Sequence, residues 1–217
     1  FSEAFIAFCL SDHYSGFDGC QGASYDYEEL DALVDYGVCD ESVYPYSGYE
    51  QDCQSSAWDA PRTQFMEWVR VPCGDIDAIK TAIMTYGVVD AAVYASDAFA
   101  GYDQGIYEDS NTACDATPCY YATSNHAIAL VGWNDNGGPG DGTGDGYWIL
   151  RNSWGKFWGE NGYMRIKYKS ATVACAVSYL VYEPPPTPSP TPWGYKTPIP
   201  TATPSPAPTY PPQSIPF

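Results

Sequence analysis

Apolar positions recur at helical spacing in the first part of the chain and in short alternating or continuous runs after residue 88. Residues 1–9 predict a short helical or turn segment that opens on Ser2. A loop follows over residues 10–23, punctuated by Gly16, Gly19 and Gly22. Ser24 is placed to cap a helix over 25–36, with Tyr27, Leu30 and Val34 on one stripe and Gly37 as its stop. Residues 38–62 predict irregular chain, with a turn marked by Tyr44-Pro45-Tyr46 and Ser47-Gly48. The next helix has a clearer signal. Asp75 can cap it, Ile76, Ile79, Ile83 and Tyr86 share a face, and Gly87 ends it. Five strands are then expected at Val88–Tyr94, Ala127–Trp133, Gly146–Asn152, Gly162–Tyr168 and Ala176–Tyr182. A helical front and a β-rich back predict an α+β chain of two lobes, and the groove between two lobes is where a substrate is expected.

The rhythm ends near residue 183. Residues 184–217 hold 14 of the 19 prolines among Thr and Ser. Proline fixes φ and removes a backbone donor, so this stretch predicts a stiff, extended linker or tail rather than part of a core. Residues 1–183 suit one domain.

Net charge is −18 and unevenly spread, with 25 acidic and three basic side chains before residue 151. Such a field repels phosphate backbones, which argues against nucleic acid as a partner, and it favours cationic peptides near any cleft it lines. No apolar run is long enough to span a bilayer. The eight cysteines lack paired zinc-site spacing and predict disulfides in an oxidising compartment, secreted or at the cell surface. The absence of a starting methionine before Phe1 leads to the expectation that an upstream piece carries any export signal.

Two motifs carry chemistry. Ser124-Asn125-His126-Ala127 puts an imidazole at the start of an apolar strand, and Asn152-Ser153-Trp154-Gly155 puts an amide and an indole at the end of the next. With Phe1-Ser2-Glu3-Ala4-Phe5 leading to Cys9, Gly19-Cys20-Gln21-Gly22, Tyr44-Pro45-Tyr46 and Trp158-Gly159-Glu160-Asn161-Gly162-Tyr163, these motifs occur in the order found in papain-family cysteine peptidases, which the chain resembles from Phe1 to about Tyr182. The resemblance implies a papain-like two-lobe fold, an incomplete helical lobe beside a β-barrel-like lobe. It also implies hydrolysis of peptide bonds by thiolate attack, with no cofactor and no metal. His126 is then the general base and acid, Asn152 the group that orients it, and Trp154 the shield over their hydrogen bond. Gly22 and Ala23 are expected to meet the substrate backbone. Tyr25, Asn125 and Ala127 are expected to wall the pocket for the residue two before the cut, with Leu180 at its base and a preference for apolar side chains. Ala23 stands where the family has glycine, which a negative φ would allow.

The nucleophile is expected upstream of this chain. Family spacing puts it about 130–150 residues before the His and Asn, at or before position 22, and neither Cys9 nor Cys20 stands in the family's nucleophile motif. The isolated chain is therefore expected to be inactive, and without the thiol-bearing helix Phe5, Ile6 and Phe8 are expected to lie open to solvent. The resemblance pairs Cys9 with Cys53, sends Cys20 to an upstream partner and pairs Cys175 with Cys119 or Cys114. Cys39 and Cys73 are left for an extra pair, and one of Cys114 and Cys119 is spare. Asp141, Thr143, Asp145 and Gly146 echo the start of a calcium loop whose closing carboxylate is missing, so a solvated hairpin loop is expected there. The alternative function is a non-catalytic peptide-binding or adhesion module on the same scaffold. A transglutaminase-like acyl transferase ranks behind both, since it would carry aspartate in place of Asn152. A further domain or a surface anchor is expected beyond the tail.

Overall fold

The computed structural model describes residues 1–109, 124–136 and 146–182. In the first lobe the Phe5 N–H donates to Ser2 Oγ at 2.9 Å, which turns the chain into a π-helical segment, Phe5–Leu10. Helix α1 (Glu28–Tyr36) starts later than predicted, and Ser24 does not cap it. The Glu28 carboxylate reaches back and ties the preceding turn to the helix, accepting the backbone N–H groups of Ser24 and Tyr25, each at 3.0 Å. A short helix, α2 (Ser55–Trp58), interrupts the stretch expected to be irregular. Its Trp58 stacks on Phe5 at 5.6 Å, and a disulfide joins Cys9 to Cys53. Around these contacts Phe5, Phe8, Leu10, Leu33, Val38 and Tyr44 form one core. The expectation of open apolar side chains fails: Phe5 and Phe8 are buried and Ile6 is half-buried. Trp58, stacked on Phe5, and Cys53 both pack against this core and supply part of its cover.

The second lobe is built on helix α3 (Ile76–Tyr86) and a sheet. Asp75 caps α3 by accepting Ala78 N–H at 2.9 Å, and Gly87 ends it at φ 84°, a left-handed conformation open to glycine. The strands are β1 (Glu67–Arg70), β2 (Val89–Val93), β3 (Ile106–Tyr107), β4 (His126–Asn134), β5 (Tyr147–Arg151), β6 (Tyr163–Lys167) and β7 (Val177–Val181). They form one seven-stranded sheet in the order β1-β7-β2-β4-β5-β6-β3, antiparallel except where β3 joins β6. No ladder joins β1 to β3 among the described residues, so hydrogen bonding leaves the sheet open. Ile79, Ile83, Val89, Leu130, Trp148, Leu150, Met164 and Ile166 pack into its core. Each such side chain, once buried, contributes roughly 1.5–3 kcal/mol.

Strand alternation gives β1, β7 and β2 two different faces. Val177, Tyr179, Val89, Ala91 and Val93 turn to the α3 side and its core. Trp68, Arg70, Ser178, Leu180, Asp90 and Ala92 turn to the first lobe. Trp68 Nε1–H donates to Asp31 Oδ1 at 2.6 Å, Arg70 forms an ion pair with Asp26, and Leu180 packs on the first-lobe core.

The extra cysteine pair does not form. Cys39 is a free thiol buried in the first-lobe core, whereas Cys73, just ahead of α3, is disulfide-bonded, as is Cys175. The two positions belong to different lobes, which sequence spacing could not reveal. Cys20 is free and exposed. Cys114 and Cys119 lie outside the described residues, as do Asp141, Thr143 and Asp145 of the calcium-loop echo. Gly146, the last member of that echo, leads into β5, where its carbonyl accepts Tyr168 N–H at 3.3 Å.

Candidate active site

Strands β4 and β5 run antiparallel, which brings the start of one beside the end of the other. His126 opens β4 and Asn152 follows β5, so two residues 26 apart in sequence meet at one rim of the sheet. His126 is held in place by its neighbours. It stands opposite Val93 in the ladder to β2, and the Asn125 N–H donates to the Val93 carbonyl at 3.1 Å. The Asn125 side chain clasps the backbone of Ala95, accepting its N–H at 2.7 Å and donating to its carbonyl at 3.2 Å.

The Nε2 of His126 lies 2.8 Å from Asn152 Oδ1. The same oxygen accepts the backbone N–H of Ser153 at 2.8 Å, which identifies it as the carbonyl end of the amide. Nε2 must therefore carry the proton, and in the neutral ring the lone pair resides on Nδ1. Nδ1 has no hydrogen-bond partner among the described residues. Asn152 is buried, and its Nδ2 has no partner among the described residues.

Aromatic rings enclose the imidazole. Trp154 stacks on His126 at 4.7 Å with 29° between the planes. Phe99 meets both rings edge-on, at 6.3 Å from His126 and 5.8 Å from Trp154, and Trp158 packs against Trp154 at 5.3 Å. Phe99 was not singled out from the sequence. The available signal is local: Ser96 caps the short helix α4 (Asp97–Ala100) by accepting the Phe99 N–H at 3.2 Å, which turns that ring inward, fully buried.

The turn after Asn152 is clamped at its far end. Glu160 accepts two bonds from Arg165, 2.5 Å from Nη2 and 3.0 Å from Nε, and takes the Gly105 N–H at 3.1 Å. Burial works against the Glu160 carboxylate, yet Arg165 and Gly105 together hold its pKa below the usual value. The Asn152 N–H donates to the Gly162 carbonyl at 2.9 Å, so the clamped turn also fixes the backbone that carries the amide.

The other site residues are spread over both lobes. Ala127 is exposed and pairs with Ala92 across the β2–β4 ladder. Gly22, Ala23 and Tyr25 stand on the first lobe, in the loop that leads to α1. Gly22 has φ 82°, while Ala23 is not among the residues with positive φ, so the alanine fits its place without strain. Tyr25 is exposed and stacks on Tyr27, which in turn stacks on Trp68. Leu180 is half-buried against the first-lobe core.

A tautomer-fixed imidazole under an indole, at the edge of a two-lobed α+β fold, defines the class. The family model for papain family cysteine proteases matches residues 1–184, and the chain belongs to that family. Cathepsin J of Mus musculus is 32% identical over 170 residues, covering 78% of this chain and 47% of its own length. The structure of digestive procathepsin L 3 from the larval midgut of Tenebrio molitor superposes with a TM-score of 0.65 at 30% identity, covering 83% of this chain and 55% of that one. A cysteine protease of Carica candamarcensis in complex with E-64 gives a TM-score of 0.65 at 26% identity, covering 84% and 78%. The chain spans about half the length of the curated relatives it matches.

Proposed function

We propose that the protein is a cysteine peptidase in which His126 is the general base and acid and Asn152 its orienting residue. The nucleophilic thiol comes from outside residues 1–217. In the chemistry this supports, a thiolate attacks the carbonyl carbon of a peptide and forms a C–S bond. His126 gives a proton to the leaving amine as the C–N bond breaks, then takes one from the water that releases the acyl group. Trp154, Phe99 and Trp158 keep water from the His–Asn hydrogen bond, which strengthens it. We read residues 1–183 as the peptidase domain, 184–217 as a linker to a further module or surface anchor, and the disulfides as signs of an oxidising, secretory or extracellular setting.

The observation that carries this reading is the 2.8 Å contact between Nε2 of His126 and Oδ1 of Asn152 beneath Trp154. The test is thiol-dependent peptide hydrolysis by the full-length protein. His126→Ala should abolish the activity, and residues 1–217 alone should show none. Hydrolysis that survives His126→Ala would overturn the assignment.

A further inference from the structure

The two lobes meet along a packed seam whose charges do not balance. On the sheet face that looks toward the first lobe, the strand registers set Arg70 of β1, Ser178 of β7, Asp90 of β2, Ala129 of β4 and Arg151 of β5 in one row. Directly opposed residues share a face. Asp26 and Glu29 approach from the first lobe, Glu29 on α1 and Asp26 just before it. Asp31, also on α1, accepts the Trp68 indole N–H.

The cations of the row stand apart from Asp90. Arg70 is two strands away, roughly 9–10 Å between backbones, and its guanidinium turns to pair with Asp26. Arg151 is two strands away on the other side and is exposed to solvent. Neither Asp90 nor Glu29 forms an ion pair among the described residues. When both are ionised, two carboxylates oppose each other across the seam without a cation of their own.

A second observation is independent of the charges. Ser178, directly opposite Asp90, is fully buried, and its hydroxyl has no hydrogen-bond partner among the described residues. An unpaired buried hydroxyl costs about 1–3 kcal/mol. A protonated Asp90 carries no charge and brings an O–H that the neighbouring Ser178 oxygen can accept. The half-buried position of Asp90 leaves it within reach of protons from solvent.

We infer that Asp90 and Glu29 form a proton-operated latch between the lobes: protonated, they let the first lobe seat on β1, β7 and β2, and ionised, they repel across the seam and admit its opening. The latch is independent of the peptidase reading, since His126 and Asn152 take no part in it. Burial, then Glu29 and Asp26, with Arg70 only partly opposing them, pushes the pKa of Asp90 up to about 7, and burial raises that of Glu29 as well. Where the lobes part, water returns to both carboxyls and their pKa values fall back. Seating the lobes therefore takes up protons. It is strongest in acid, below the ordinary carboxylate range, and weakens as pH rises toward about 7.

The Trp68 indole reports the seam, because its Nε1–H donates across it to Asp31 Oδ1 at 2.6 Å. The Trp148 indole donates to the Tyr168 carbonyl at 3.1 Å within the second lobe and reports unfolding instead. Hydrogen exchange of the two indoles is followed by NMR in the full-length protein, with protection corrected for the intrinsic effect of pH. From pH 5 to pH 7 the protection of Trp68 should fall by about tenfold or more. It should stay about tenfold or more below that of Trp148 throughout, the mark of a local opening. Asp90→Asn should hold the fall within about twofold, and Glu29→Gln, made on the opposite lobe, should reduce it. Equal protection of the two indoles would show that the lobes part only by unfolding and would overturn the latch. A fall at Trp68 that is unchanged in both variants overturns it as well.

Discussion

The Oδ1 of Asn152 lies 2.8 Å from Nε2 of His126 and also 2.8 Å from the N–H of Ser153. One oxygen accepting two donors fixes the imidazole proton on Nε2. Asn152→Ala removes that constraint. Nitrogen NMR of the histidine ring should show the Nε2–H tautomer in the unaltered protein and a mixture in the variant. In the full-length protein kcat/KM should fall by about a hundredfold, the scale of a misaimed catalytic group, with the loss mainly in kcat.

Trp154 is stacked on that ring but is itself 42% exposed, so it works as a lid rather than as core. Trp154→Ala should open the His126–Asn152 bond to water while Phe99 and Trp158 keep the lobe packed. The expected signs are a faster-exchanging Nε2–H resonance, a stability loss of about 0.5–1.5 kcal/mol in urea, and activity lowered roughly tenfold.

The Cys9–Cys53 bridge closes a loop of 44 residues in a lobe whose core is small. A cross-link of that span restricts the unfolded chain strongly. Cys53→Ser should cost about 2–4 kcal/mol in denaturant unfolding. Tryptophan fluorescence from the Trp58 region, where Phe5 stacks, should report the loss.

Asp90 makes a pH prediction with a definite sign. Its pKa rises from 3.8 to about 7 on folding, so between these values the folded state binds more protons than the unfolded one. Stability from this group is therefore fully present below about pH 4 and is lost as pH rises toward 7 and above. The melting temperature should fall across that window for the unaltered protein, and Asp90→Asn should flatten the fall. A melting temperature that rises from pH 5 to pH 8 would contradict a raised pKa for buried Asp90.

Much of the β lobe is legible in the sequence because its strands have one wholly apolar face. The α3 helix is legible from the Asp75 cap and its isoleucine spacing. Strand β1 escapes for a physical reason. Glu67, Trp68, Val69 and Arg70 show no apolar alternation, because Trp68 and Arg70 turn toward the other lobe and bond to Asp31 and Asp26. Strand β3 has only two residues and leans on β6 in parallel, which no local pattern announces. The His126 and Asn152 motifs stand out by residue type and order, whereas the distance between them is a product of the β4–β5 register. Asp90 looks like an ordinary polar position in an alternating strand, and only burial and the carboxylates of Glu29 and Asp26, brought near it by folding, raise its pKa. Ser24 has the right chemistry for a cap, but the helix begins four residues later, at Glu28, and the Glu28 carboxylate reaches back to the Ser24 and Tyr25 N–H groups instead.

Strand β7 joins both halves of the molecule. Val177 is anchored in the second-lobe core, and Leu180, on the same short strand, is seated against the first. A beam embedded in two walls makes either wall hard to take down alone. Heat should therefore melt both together, as one calorimetric peak whose enthalpy equals the van't Hoff value.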